Sequence, residues 1–160
     1  MAIKITKSGF FNKTFIFIDG DSKLGEMKLS WFWRASIVGE SEVILGSDSF
    51  KLYREPKLKG KFVLSQNDKL IVSTFENNFE LPEFTVHYND NNYLLTRKDR
   101  LDNEFFISLN RSPCGSIYKD TSPEYFATLN VIDKLPIQVS VLCFWVCLFY
   151  WQGWGAQQAA

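Results

Sequence analysis

The sequence predicts a mainly β protein, a closed antiparallel β-barrel of about twelve strands around a hydrophobic C-terminal helix. Three observations predict it. Apolar and polar residues alternate with a period of two, in short runs, to about residue 131. Turn-forming residues separate the runs at short spacing, which favours hairpins over βαβ crossovers. The chain then changes character and ends on Ile137 to Trp151, an apolar segment without charge.

The elements follow in order. Ile3 and Ile5 alternate with Lys4 and Thr6, as a half-buried strand requires, because successive side chains point to opposite faces. Phe15 to Ile18 is a second run, ended by the turn residues Asp19-Gly20-Asp21. Met27, Leu29, Trp31 and Trp33 alternate with Glu26, Lys28, Ser30 and Phe32. Further runs lie at 43–45, 50–54, 62–65, 70–74, 84–88, 93–97, 105–109 and 116–119. Gly46-Ser47-Asp48, Asn67-Asp68, Asn89 to Asn92 and Pro113-Cys114-Gly115 read as the turns between them.

Residues 43–65 and 86–108 align without a gap at a constant offset of 43 (from Phe50 to Tyr93). Val43 matches Val86, Leu52 matches Leu95, and Arg54 matches Arg97. Leu58 matches Leu101, Phe62 matches Phe105, and Ser65 matches Ser108. The expectation is two equivalent strand–turn–strand–loop–strand units that share one core.

Leu135 to Ala160 contains no charged residue, and Pro136 suits the start of a helix. A helix that is apolar all round is buried in protein or in lipid. A barrel of about twelve strands is too wide to fill with its own inward side chains, so the helix serves as its plug. The other reading is a tail anchor, although Leu135 to Trp151 spans only about 25 Å at ~1.5 Å per residue. The plug reading predicts one domain over 1–154, a central helix over 136–152, and a disordered tail over 155–160. The predicted helix core is Leu142, Cys143, Trp145, Cys147 and Phe149.

Composition narrows the function. The 18 Lys and Arg balance 18 Asp and Glu, so the basic excess of a nucleic-acid binder is missing. An odd cysteine count, with Cys143 and Cys147 inside the apolar segment and Cys114 apart, does not suit a disulfide framework. Met1 to Phe11 has no apolar core of a signal peptide. A cytoplasmic location follows, with or without membrane association.

This succession of short strands, an internal duplication and a terminal LPIQVSVLCFWVCLFYW resembles the tubby-like, phospholipid-scramblase-like and LURP-one-related superfamily. The resemblance covers nearly the whole chain as a pattern and is specific at the final helix with its leading Leu135-Pro136. It implies a twelve-stranded barrel around a hydrophobic C-terminal helix, and a role in binding membrane lipid or a membrane-associated partner. Two features of the superfamily are missing: the acylated cysteine cluster and the acidic calcium-responsive segment of the scramblases.

Candidate sites are few. Arg54, Lys57, Lys59 and Lys61 surround Glu55, Pro56 and Gly60 in a basic loop suited to anionic headgroups. His87 is the single histidine and stands apart from any cysteine pair with zinc spacing, so no metal site is expected. No nucleophile motif accompanies it, so no catalytic residues and no cofactor are expected. The expected function is a non-enzymatic binding domain. Its partner would be an anionic lipid or a membrane-associated protein, with no nucleic acid and the oligomeric state open. The alternative is a tail-anchored protein with a cytosolic β domain.

Overall fold

The computed structural model describes residues 1–8, 14–29, 40–55, 61–78, 83–97 and 103–151. Twelve strands precede one helix. They are β1 (Ala2–Ser8), β2 (Thr14–Asp19), β3 (Ser22–Leu29), β4 (Ser41–Leu45), β5 (Asp48–Arg54) and β6 (Phe62–Gln66). Then come β7 (Lys69–Asn78), β8 (Glu83–Tyr88), β9 (Asn91–Arg97), β10 (Glu104–Leu109), β11 (Ser112–Lys119) and β12 (Ala127–Val131). Helix α1 covers Ile137–Trp151. Each strand pairs antiparallel with the next, and β12 pairs with β1, so the sheet closes into the predicted barrel. Closure removes the unpaired edges that an open sheet would have to protect.

The period of two sets the faces. Ile3 and Ile5, Phe15 and Phe17, Val43 and Leu45, Phe84 and Val86, and Tyr93 and Leu95 all point inward and are buried. The helix fills the space they enclose. Val139 to Phe149 are buried without a break around the whole helix circumference, including Leu142, Cys143, Trp145, Cys147 and Phe149. Phe144 meets Phe15 and Phe17 of β2 at 5.4 and 5.6 Å, while Trp145 meets Phe62 of β6 at 5.5 Å. Strands on different sides of the barrel therefore grip adjacent helix residues. Phe144 joins the core beyond the Leu142, Cys143, Trp145, Cys147 and Phe149 that the sequence predicts. From Val139 to Phe149 the helix presents no exposed face. Among the described residues no helix is long and apolar enough to cross a membrane.

Three details differ from the sequence reading. Helix α1 begins at Ile137, with Pro136 as its cap: the Pro136 carbonyl accepts the Ser140 N–H at 3.1 Å. The turn before β11 is Asn110-Arg111, both at positive φ, and Pro113-Cys114-Gly115 lies within the strand. A proline is admitted there because it stands near the start of β11, which pairs with β12 only from Gly115 onward, so that side of the ladder asks no donor of Pro113. Strand β12 lies in a stretch where no separate run stands out, yet it closes the barrel, its Leu129 opposite Ile3. Trp31, Trp33, Leu58 and Leu101, and the 152–160 tail, lie outside the described residues.

The pairing register recurs around the barrel. Adding 43 to the residues of β4–β7 reproduces the pairing of β8–β11: Val43↔Phe50 corresponds to Val86↔Tyr93, and Leu52↔Leu64 to Leu95↔Ile107. The bulges after Leu64 and Ile107 coincide as well. The same pattern returns in β1–β3 at an offset of 47 (from Ile5 to Leu52), with Ile5↔Phe17 and a bulge after Phe17. Strand β12 meets β1 as β4 meets β5, with Leu129↔Ile3 answering Val43↔Phe50. The changed offset arises in one connection. Twelve positions separate Leu29 from Ser41, against eight from Glu76 to Phe84 and eight from Lys119 to Ala127.

Candidate functional site

The two ends of the barrel differ. Two-residue turns, at 20–21, 46–47, 67–68, 89–90 and 110–111, close the end where α1 begins. The longer connections leave from the other end, where the last turn of α1 arrives. At this mouth the final inward residues of the odd-numbered strands are Lys7, Leu29, Arg54, Glu76, Arg97 and Lys119. Each continues the inward alternation of its own strand, as Arg54 continues Phe50 and Leu52. Four of the six are cations and one is a carboxylate.

Their contacts fix them against aromatic rings. Lys7 Nζ lies 4.4 Å from the Phe126 ring and 6.0 Å from that of Phe15. Lys119 Nζ approaches the same Phe126 ring at 5.8 Å. The Arg54 guanidinium sits 5.1 Å from Phe149 and 5.9 Å from Phe62, and Arg97 lies 5.5 Å from Phe105. Such cation–ring contacts gain strength as water is excluded. Arg54 is only 8% exposed, whereas Lys7 and Lys119 are open to solvent. Burial pulls the Arg54 guanidinium below its ordinary value, and the nearby Tyr150 and Glu76 oppose the shift. The Tyr150 hydroxyl donates to Glu76 Oε1 at 3.3 Å.

The charge at the mouth answers the helix. The last carbonyls of an α-helix have no partner within it and carry roughly half a negative charge. Helix α1 has no basic residue in its last turn. Four wall cations stand at the same end of the barrel.

The predicted basic set does not gather into one patch among the described residues. Arg54 points into the barrel, while Lys61 lies over the exposed Phe75 ring at 5.3 Å on the outer wall. Lys57 and Lys59 lie outside the described residues. His87 is on the outer wall with Asn92 and the Phe75 ring as neighbours. Among the described residues no group of three His, Cys, Asp or Glu side chains is placed to hold a metal ion. Lys7 and Lys119 are not singled out by the sequence, and Arg97 stands there only as the counterpart of Arg54. The signal for Lys7 and Arg97 was present, since each follows two buried residues at alternate positions.

Burial raises the thiols of Cys143 and Cys147 and, together with the Glu76 carboxylate, the Tyr150 phenol. A raised value favours the neutral form in the fold. Its contribution is complete below the unfolded-state value and is lost as pH climbs above it, from about 8.5 for a thiol and about 10 for a phenol. The urea midpoint is therefore expected to fall as pH rises from about 8.5. The Cys143→Ala/Cys147→Ala double variant should flatten the first part of that fall. An unchanged slope between about pH 8.5 and 10 in that variant contradicts the assignment.

Comparison with known proteins finds no matching family model, no matching curated protein and no matching solved structure.

Proposed function

We propose that this chain is a non-enzymatic binding domain of the scramblase and tubby-like type, which meets anionic membrane lipid through the mouth of its barrel. The observation that carries the reading is the convergence of two exposed lysines, Lys7 and Lys119, on the ring of Phe126. Both flank β12, and Trp151 packs against the same ring at 6.2 Å. Cationic heads beside an apolar rim suit a headgroup phosphate above an acyl boundary. The sequence adds support. The connection that exceeds its counterparts in length contains Trp31, Phe32, Trp33 and Arg34, residue types that favour the membrane interface. The superfamily resemblance and a cytoplasmic location are part of this reading. So is the origin of 43–65 and 86–108 as copies of one unit. A membrane-associated protein with an anionic surface is the other partner it admits.

Vesicle co-sedimentation tests it. The protein should sediment with vesicles containing phosphatidylserine and remain free of purely phosphatidylcholine vesicles. Exposed charges are screened beyond roughly 8–10 Å at physiological ionic strength, so binding should weaken with salt. At ~1 kcal/mol per basic residue, Lys7→Gln/Lys119→Gln should weaken binding by about thirtyfold. Neutralising Lys57, Lys59 and Lys61 together is the second arm. Binding to acidic vesicles that survives both sets of changes removes both basic regions from the reading.

A further inference from the structure

The recurring register allows the chain to be compared with itself. Under the offsets of 43 and 47, Lys7, Arg54 and Arg97 occupy one equivalent position, and Phe15, Phe62 and Phe105 occupy another. The two positions face each other across paired strands as Lys7↔Phe15, Arg54↔Phe62 and Arg97↔Phe105. In each pair the cation lies over the ring, at 6.0, 5.9 and 5.5 Å. Neighbouring equivalent positions have diverged freely. Leu29, Glu76 and Lys119 share one site without sharing charge, and Ser41, Phe84 and Ala127 share another without sharing size. A cation over phenylalanine thus recurs in all three thirds of the barrel, beside the apolar core positions they also share.

We propose that these three cation–phenylalanine pairs form a collar that clamps the carboxyl end of the central helix, one clamp from each third of the wall. The three phenylalanines touch the helix directly. Phe15 packs on Phe144, Phe62 on Trp145 and Phe149, and Phe105 on Tyr150 and Trp151. The three cations stand at the end where the helix carries its negative pole, and the helix brings no charge of its own from Leu135 onward. A charged collar at this end resists axial slippage that an apolar lining alone would permit, because hydrophobic contact is non-directional. Among the inward residues that end the odd-numbered strands, the charges outside the collar are Glu76, which accepts a hydrogen bond from Tyr150, and Lys119, placed over Phe126. The collar acts on the helix without any lipid at the mouth, and it shares Lys7 with the proposed lipid contact.

The helix carries its own reporters. Cys143 and Cys147 are free thiols at 0% exposure, and Cys114 is a free, buried thiol in the wall near the opposite end. A buried thiol is alkylated only when its surroundings open, so site-resolved alkylation of the full chain measures local opening at the carboxyl end of the helix, where Cys147 lies, against opening of the wall at Cys114. Lys7→Gln, Arg54→Gln and Arg97→Gln are each expected to speed Cys147 alkylation by roughly two- to fivefold, the effect of one charge at a helix end. Their combination should be faster still, with Cys114 unmoved. Lys7→Arg, which installs the residue of the other two thirds, should leave the rate at wild type, and so should Lys119→Gln. Should buried Arg54 prove indispensable for folding, the exposed Lys7→Gln variant carries the test. Wild-type Cys147 rates in Lys7→Gln and Arg97→Gln overturn the collar. Equal acceleration by Lys119→Gln, or Cys114 rising in step with Cys147, overturns it as well.

Discussion

A chain ending at Lys134 is expected not to fold. Eight of the helix's buried residues are large and apolar: Val139, Val141, Leu142, Phe144, Trp145, Val146, Leu148 and Phe149. At about 1.5–3 kcal/mol for each fully buried side chain, their removal costs on the order of 15 kcal/mol. That matches or exceeds the whole stability of an ordinary domain, about 5–15 kcal/mol. The strands cannot compensate by collapsing inward, because the closed ladder fixes the width of the barrel. Circular dichroism and thermal melting check the outcome. The expected result is aggregation or a spectrum without a cooperative transition. A soluble, monomeric truncated chain with a cooperative melt contradicts the plug and makes the helix an appendage.

The second large effect concerns Phe62. It is 2% exposed and stands between the wall and the helix, with ring contacts to Phe84 at 6.1 Å, Trp145 at 5.5 Å and Phe149 at 5.4 Å. Arg54 also lies over it. Phe62→Ala removes the aromatic hub on this side of the helix, and the rigid ladder prevents the gap from closing. The expected cost is about 3–5 kcal/mol, read from urea unfolding. Phe75→Ala is the control. Phe75 belongs to the adjacent strand but is 44% exposed on the outer wall, and its replacement should cost well under half as much. Equal losses from the two variants would mean that the helix does not lean on Phe62.

Much of the wall was legible because a strand's face is a local property. Alternation identifies Phe50, Leu52 and Arg54 as one face of β5, and all three are buried. The same rule, applied strictly, places Arg54 inside. Its charge and its neighbours Lys57, Lys59 and Lys61 argued for a surface loop, and the face rule proved the better guide for this residue. Asn67-Asp68 and Asn89 were legible as turns because asparagine and aspartate tolerate positive φ, which Asn67, Asp68 and Asn89 adopt. Asn110-Arg111 was not, because arginine at positive φ carries no turn signature and Pro113-Gly115 nearby carries a strong one.

By itself the sequence determined the strand faces and most of the turns. It also marked the helix as too apolar for solvent, and the need to occupy a wide barrel followed from the number of strands. Tertiary structure decided what depends on closure. It brought β12 against β1 across nearly the whole chain and set a common register through all three thirds of the wall. It also brought Lys7, Arg54, Arg97 and Lys119 together at one mouth of the barrel. The physical reason is that a period of two tells which way a side chain points and nothing about which strand lies across from it. That choice is made only when the ladder closes and every inward residue must share one interior with the helix.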